Sequence, residues 1–170
     1  MPYPEYLVAP MRDELTRLGV EEARTVEAVD AAFAQPGTTL LVVNSVCGCA
    51  AANARPAVAL ASQHAVQPDR IVTVFAGQDL DATAHARALM PGIAPSSPSM
   101  FLLQDGEPVF AIERRHIEGR SSSAIAMDLV NAYDRFCGNA SGDGADVARP
   151  DVPASNPADS GLPSTFRSIL

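Results

Sequence analysis

The sequence predicts an α/β domain in which a central mixed sheet is flanked by helices. Residues 38–43 and 71–75 are short β-branched apolar runs, and this composition is typical of strands buried on both faces. Stretches with helical spacing of apolar residues precede and follow these runs. An Asp105-Gly106 dipeptide between two later apolar runs indicates an antiparallel hairpin. Parallel strands with helical connections, followed by a hairpin, make a mixed sheet.

Two helices are predicted before the first strand. Apolar residues recur at helical spacing over residues 6–18, and Gly19 ends the pattern. Thr25 is placed to cap a short second helix that ends at residues 36–37. We expect these helices to contribute three large side chains to the core: Tyr6, Met11 and Phe33.

The remaining elements alternate between helix and strand until the hairpin. Helices are predicted at residues 50–63, 79–90 and 121–136, and the two hairpin strands at residues 99–104 and 108–112. After the two N-terminal helices the order is β-α-β-α-β-β-α. This order is the plan of a thioredoxin-like domain, here with extra N-terminal helices.

Composition and charge exclude several classes of function. The chain has 170 residues, three cysteines and a formal net charge of -8. Its 12 basic residues are all arginines, and they are outnumbered by 20 acidic residues. The sequence therefore has no basic stripe that would bind a nucleic-acid backbone. No apolar run approaches the ~18 residues of a membrane span, and the first residues lack a signal-peptide pattern. We therefore expect a cytoplasmic protein that binds neither nucleic acid nor membrane.

The composition changes sharply after Cys137. Residues 138–170 are rich in Gly, Pro, Ser and Asp and are almost without apolar residues before Leu162. Such a segment does not bury enough apolar surface to offset its ordering entropy. We expect residues 1–137 to form the folded domain and residues 138–170 to be a disordered tail, dispensable for fold and chemistry.

A Cys47-Gly48-Cys49 motif lies where the first strand meets the following helix. Free backbone N–H groups and the helix dipole stabilise a thiolate at such a junction, so Cys47 is the expected nucleophile. Cys49 is near enough to attack a mixed disulfide on Cys47. An extended chain would hold the two Cα atoms ~7 Å apart, at the limit for a disulfide, so we expect Gly48 to make a turn.

Metal binding and simple packing are the alternatives to redox chemistry. A zinc site needs about four ligands, and the three histidines are scattered at positions 64, 85 and 116 with no second cysteine pair. A buried, inert cysteine pair is also open, since cysteine packs like a small hydrophobe. The strand-to-helix context favours redox chemistry without a metal. Cys137, at the end of the last helix, is interpreted as a packed bystander.

Pro98 stands directly before the first hairpin strand. Thioredoxin-like proteins place a cis-proline facing the active cysteine at this position, whereas an ordinary loop proline is the alternative. With Ser97 before it, the backbone here is placed to pair with the main chain of an extended substrate.

Four sequence blocks carry a resemblance to a known family: VAPMR at residues 8–12, NSVCGCAAANARP at 44–56, SSPS at 96–99 and HIEGR at 116–120. Over residues 3–137 the chain resembles the bacilliredoxins, thioredoxin-like proteins with a CGC motif. The resemblance implies a thiol-disulfide oxidoreductase that removes bacillithiol from S-bacillithiolated client proteins, with bacillithiol as redox co-substrate and no bound cofactor. It also implies that Cys47 takes up bacillithiol and that Cys49 is the resolving thiol. A general protein disulfide isomerase or reductase, and a non-enzymatic binding module on the same fold, stay open.

Further polar residues near the motif are candidates for substrate contacts. Arg55 follows the cysteines, where it would bind a carboxylate of the small thiol or merely solvate a helix face. His116, Glu118 and Arg120 are interpreted as a charged turn rather than part of the groove. The residues expected to contact substrate are Gly48, Asn53, Arg55, Ser97 and Pro98.

Overall fold

A computed structural model describes residues 1–138 and 146–152. The strands are β1 (Glu21–Glu22), β2 (Thr38–Asn44), β3 (Arg70–Phe75), β4 (Ser99–Gln104) and β5 (Glu107–Ile112). The α-helices are α1 (Glu5–Thr16), α2 (Val26–Phe33), α3 (Arg55–Ala61), α4 (Leu80–Ala88) and α5 (Ser122–Phe136). A π-helical turn, Ala50–Ala54, leads into α3, and a 3₁₀ turn, Arg114–His116, precedes α5. Within the described part of the chain, no helix is both long and apolar enough to cross a bilayer.

The five strands form one mixed sheet in the order β1-β3-β2-β4-β5. Strands β1, β3 and β2 are parallel, whereas β4 is antiparallel to both β2 and β5. The predicted fold class, a thioredoxin-like α/β domain with extra N-terminal helices, is therefore confirmed. The sequence did not predict β1, because two glutamates carry no apolar pattern and only pairing with β3 makes them a strand.

Strand β2 is the centre of the core, as its apolar composition predicts. Leu40 and Val42 pack in a cluster with residues of α3 and α5, whereas Leu41 and Val43 pack in a second cluster with residues of α2 and α4. Side chains alternate between the faces of a strand, so both faces of the sheet are covered by helices. The carboxyl end of β2 is thereby fixed from both sides.

The hairpin between β4 and β5 turns at the predicted dipeptide. Asp105 has a φ of 50° and Gly106 a φ of 83°, as a two-residue turn with both residues left-handed requires. Pro108 lacks an N–H donor, and the pairing with β4 shifts register between Leu102 and Leu103. The irregularity lies on the strand at the edge of the sheet, where a proline is tolerated.

Helix α1 turns a different face inward from the one predicted. Val8, Arg12 and Leu15 are buried, whereas Tyr6 is 76% exposed, so its assignment to the core is wrong. Arg12 is buried because its guanidinium contacts carboxylates from three places in the chain: Glu5, Glu22 and Asp79. A buried arginine on the inward face breaks the apolar pattern from which the face was predicted. Met11 and Phe33 are partly buried.

The segment 146–152 lies against the free edge of the sheet. Ala148 pairs with β5 in a parallel bridge: its N–H donates to Val109 and its carbonyl accepts from Ala111. Arg149 forms a salt bridge with Glu113 at 3.0 Å. This segment belongs to the stretch expected to be a disordered tail, yet it pairs with the domain, because an edge strand offers unpaired backbone groups to an extended segment. That the tail is dispensable stays a prediction. The rest of the predicted tail, residues 139–145 and 153–170, lies outside the described residues.

Candidate active site

Cys47 lies just beyond the carboxyl end of β2, at the start of a helical segment. Strand β2 ends at Asn44, and the backbone is helical from Gly48 onward. The Cys47 carbonyl accepts hydrogen bonds from the N–H groups of Ala50 at 3.0 Å and Ala51 at 3.2 Å. Cys47 therefore occupies the N-terminal cap of this segment, where backbone N–H groups lack helical partners.

The Cys47 and Cys49 sulfurs face each other at 2.7 Å, and both cysteines are free thiols. The Ser45 hydroxyl donates a second hydrogen bond to the Cys47 sulfur at 3.1 Å. Both thiols are partly buried, so each keeps an exposed side toward solvent. The pair is close enough for direct exchange between the two sulfurs.

The surroundings separate the two thiols in acidity. Burial raises the pKa of Cys47, but hydrogen bonds from Cys49, Ser45 and the backbone N–H of Ala50 outweigh it and leave the pKa below the ordinary value. Burial, the hydrogen bond to Cys47 and repulsion from the Cys47 charge raise the pKa of Cys49. Cys47 is thus the more acidic thiol, which agrees with its expected role as nucleophile.

The chain turns at Gly48, as expected, but in a helical conformation that does not require glycine. Gly48 lies in the first helical turn and has no positive φ. The helical backbone alone brings residues 47 and 49 together, so the proposed conformational reason for glycine is wrong. Gly48 is exposed, and no atom lies within 4 Å of where a Cβ would stand. Its predicted contact with substrate stays a prediction, and the open space above it is compatible with one.

Arg55 is buried beneath the motif instead of facing a substrate. Only 3% of the residue is exposed. Its guanidinium donates to Glu14 at 2.7 Å, to the Asn44 side chain at 3.1 Å and to the Ser45 carbonyl at 3.1 Å. The expected carboxylate contact with a small thiol is therefore corrected: Arg55 contacts Glu14 of the protein itself and fixes the loop that carries Ser45.

Asn53 and the HIEGR block form a second support. The Asn53 amide donates to the Arg120 carbonyl, joining the π-helical turn to the loop before α5. His116 is buried and its Nδ1 accepts from the Glu113 N–H at 2.9 Å, while Arg120 pairs with Asp128 at 2.6 Å. These contacts agree with the interpretation of the block as a turn. The predicted substrate contact of Asn53 stays a prediction.

The Ser97-Pro98 peptide bond is cis, as its position predicts. Pro98 is buried and directly precedes β4. The first residue of β4, Ser99, pairs with Val43 of β2. Ser97 lines one open groove of about 330 Å³ together with Cys47. The structure thus brings together the two regions that the sequence singled out separately.

Two arginines of this groove were not predicted. Arg87 of α4 and Arg114 of the 3₁₀ turn both line it beside Cys47 and Ser97. Arg114 extends from the end of β5, and its Nη1 lies 3.4 Å from the Ser97 carbonyl. In the sequence, Arg114 adjoins the HIEGR block, which is the only signal that pointed to this region.

Cys137 lies away from the groove. It is partly buried at the end of α5, where burial raises its pKa and the nearby Thr38 at the start of β2 only partly offsets this effect. Cys47 follows the opposite end of the same strand. Among residues 1–138 and 146–152, no group of three or more His, Cys, Asp or Glu side chains is arranged to hold a metal ion.

Comparison with known proteins identifies the family. The profile of a family described as "Disulphide isomerase" matches residues 3–137. A bacilliredoxin of Salinibacter ruber is 56% identical over 172 aligned residues, covering 99% of each chain. A bacilliredoxin of Koribacter versatilis is 50% identical over 141 aligned residues, covering 82% of this chain and 97% of its own. The chain belongs to the bacilliredoxin family.

Membership in this family makes the chain a thiol-disulfide oxidoreductase. A solved structure titled "A putative oxidoreductase with a thioredoxin fold" aligns with a TM-score of 0.49 at 14% identity, covering 66% of this chain and 93% of its own. The Salinibacter alignment covers 99% of this chain, and therefore extends beyond the 137-residue domain predicted from the sequence.

Proposed function

We propose that this bacilliredoxin reduces mixed disulfides between protein cysteines and bacillithiol, using Cys47 as nucleophile and Cys49 as resolving thiol. The observation that carries the proposal is the asymmetric thiol pair: Cys47 has a lowered pKa at a helix start, and Cys49 is in hydrogen-bond contact at 2.7 Å with a raised pKa. An attacking thiol needs its thiolate form near neutral pH, whereas a resolving thiol acts only after the first exchange.

In the first step, the Cys47 thiolate attacks the bacillithiol sulfur of the mixed disulfide. The bond between Cys47 and that sulfur forms as the original disulfide breaks, and the client cysteine leaves as a thiolate that takes a proton from water. The client thiol is reduced, and the oxidised bond now lies on Cys47. The hydrogen bond from Ser45 at 3.1 Å supports this step by stabilising the attacking thiolate.

In the second step, Cys49 loses its proton and attacks the Cys47 sulfur. The Cys47–Cys49 disulfide forms and bacillithiol leaves as a thiolate that is then protonated. Loss of the Cys47 negative charge in the first step removes the repulsion that raises the pKa of Cys49. A further pair of electrons from low-molecular-weight thiols then returns the enzyme to the dithiol. No bound cofactor takes part in this scheme.

The choice of bacillithiol rests on the family, in which both reported relatives are named bacilliredoxins. The description of the matching family profile supports a second candidate, a general disulfide isomerase or reductase that acts on protein disulfides. The chemistry on Cys47 is the same in both, and the two candidates differ in the thiol that the groove accepts.

A competition between two mixed disulfides tests the proposal. One client protein with a single cysteine is prepared in S-bacillithiolated and S-glutathionylated forms, and release of its thiol is followed with wild type and Cys49→Ser. We expect faster release from the bacillithiolated form, and a Cys49→Ser enzyme that retains bacillithiol on Cys47 by mass spectrometry. Equal rates on both forms would remove the bacillithiol assignment and favour the general reductase. No turnover, together with stoichiometric zinc or copper in the purified reduced protein, would favour a binding module instead.

A further inference from the structure

The groove beside Cys47 differs in charge from the protein as a whole. The chain has a formal net charge of -8. Among the described residues, those that line the groove nevertheless include two arginines, Arg87 and Arg114, and no acidic residue. A concave surface of one charge sign concentrates ligands of the opposite sign.

Arg114 brings a half-exposed positive charge to one side of the groove. Its side chain is 47% exposed, and its guanidinium contacts Glu118 at 2.7 Å and the Ser97 carbonyl at 3.4 Å. A guanidinium has five N–H donors, so these contacts leave donors for a ligand. The positive charge also acts on the motif, where it partly opposes the rise in the pKa of Cys49 that burial and Cys47 cause.

Arg87 approaches the same groove from α4. Among the described residues it forms no salt bridge, and its one hydrogen bond is a 3.4 Å contact from Nη2 to the Ser96 carbonyl. Its Nε is buried without a hydrogen-bond partner in the described part of the chain. A guanidinium stays charged even where burial lowers its pKa, so this cation lacks the counter-ion that partly buried arginines normally have.

A second groove adjoins the first, and Arg114 lines both of them. This second open groove has a volume of about 560 Å³, and its other cationic residues are Arg115 and Arg149. Its acidic residues are already paired: Glu113 with Arg115 and Arg149, and Glu118 with Arg114. There is therefore space on the far side of Arg114 for a ligand larger than one carboxylate.

We propose that Arg87 and Arg114 form an anion subsite beside Cys47 that binds a carboxylate of the small-thiol half of the mixed disulfide. The proposal rests on the proposed function and deepens it, because it names the charge of the thiol that the enzyme prefers. Arg87 and Arg114 thus have the carboxylate-binding role that was expected of Arg55, because Arg55 is already paired with Glu14.

Two alkylating reagents of nearly equal shape test the subsite without any turnover. Iodoacetate carries a carboxylate and iodoacetamide a neutral amide, and both alkylate Cys47. The readout is the rate constant for iodoacetate at Cys47 divided by the rate constant for iodoacetamide at Cys47. This ratio is then divided by the same ratio for the urea-unfolded protein. A change in the acidity of Cys47 alters both rates together and cancels in this ratio.

The variants are Arg114→Gln and Arg87→Gln, with Arg135→Gln as the matched control. Arg135 is exposed on α5, two residues from Cys137, and its removal changes the net charge equally. We expect each groove variant to lower the ratio about fivefold, since one charged hydrogen bond at a half-exposed site has an effect of this order. The control variant should retain the wild-type ratio. Unfolding curves establish that each variant is folded.

A ratio equal in wild type, Arg114→Gln and Arg87→Gln would overturn the subsite, as would an equal fall in the Arg135→Gln control. The same four proteins are then given one client carrying 3-mercaptopropionate or 3-mercaptopropionamide as its mixed disulfide, and the subsite predicts a loss of the preference for the carboxylate. If the enzyme reduces neither disulfide nor the bacillithiolated client, the proposed function fails, and the alkylation ratios still decide on the subsite.

Discussion

Removal of the Ser45 hydroxyl is the sharpest test of how Cys47 is activated. In Ser45→Ala the 3.1 Å hydrogen bond to the Cys47 sulfur is lost. The backbone of Ser45 keeps its own contacts, because its N–H donates to Asn44 and its carbonyl accepts from Arg55. The substitution therefore deletes one donor to the thiolate, together with the long 3.4 Å contact that the hydroxyl accepts from the Cys47 N–H, and keeps the backbone contacts of Ser45.

The magnitude follows from the strength of that bond. A hydrogen bond to a charged group contributes about 1.5–3 kcal/mol, and the partial exposure of Cys47 favours the lower end. About 1.4 kcal/mol corresponds to a factor of ten. At a pH below the pKa of Cys47, the thiolate fraction in the variant is therefore roughly ten times smaller than in the wild type. The remaining donors to the sulfur keep the pKa from returning fully to its ordinary value.

The assay is the pH dependence of alkylation by iodoacetamide, with tandem mass spectrometry to separate the label on Cys47 from the label on Cys49. At pH 6 to 7 we expect the wild-type enzyme to be labelled first at Cys47, and Ser45→Ala to react roughly tenfold more slowly there. Ser62→Ala is the control, because its hydroxyl donates to the Ala59 carbonyl at the end of α3. A Ser45→Ala profile within a factor of about two of wild type would refute the argument.

Three further predictions concern the thiols, the buried arginine and the docked segment. Cys47→Ser should abolish disulfide exchange, whereas Cys49→Ser should accumulate a mixed disulfide on Cys47; mass spectrometry after one turnover checks this, and the reverse pattern would contradict the assignment. Arg55→Met should lower the free energy of unfolding in urea by about 2–3 kcal/mol, since it removes a buried cation and leaves the Asn44 and Ser45 acceptors without their donor, and an unchanged midpoint would show that Arg55 contributes nothing to stability. Ala148→Pro removes the N–H that donates to Val109 and should lower the same free energy by about 1 kcal/mol while leaving Cys47 alkylation unchanged; a stability equal to wild type would mean that the bridge contributes nothing.

Local patterns were sufficient for the helices, for the four longer strands and for the reactive motif, but not for β1. The β-branched run that became β2, the Thr25 cap of α2 and the Asp105-Gly106 turn all have causes within a few residues of the sequence. The position of the Cys47 motif between strand and helix also follows from adjacent residues. The cis bond before Pro98 was predicted from its place in a fold plan, not from propensity.

Contacts between distant residues were beyond the reach of such patterns. Nothing near Arg55 indicates that Glu14, 41 residues away, neutralises it, and so it was expected to face a substrate. Glycine was expected at position 48 because the chain must turn there, and the structure makes that turn in a helical conformation that other residues also adopt. The face of α1 was mispredicted because Arg12 is buried by carboxylates from other elements.

The sequence by itself determined the α/β class, the order of the elements and the place of the Cys47 and Cys49 thiols, because these depend on periodicity and on chemistry within short stretches. The tertiary structure decided which cation is buried and which lines the active groove, and it placed Arg87, Arg114 and Ser97 in one groove with Cys47. It also decided that Ala148 pairs with β5. The physical reason is that a charged side chain or a free strand edge is satisfied by whichever partner the fold brings within hydrogen-bond distance, and that partner has no fixed separation along the chain.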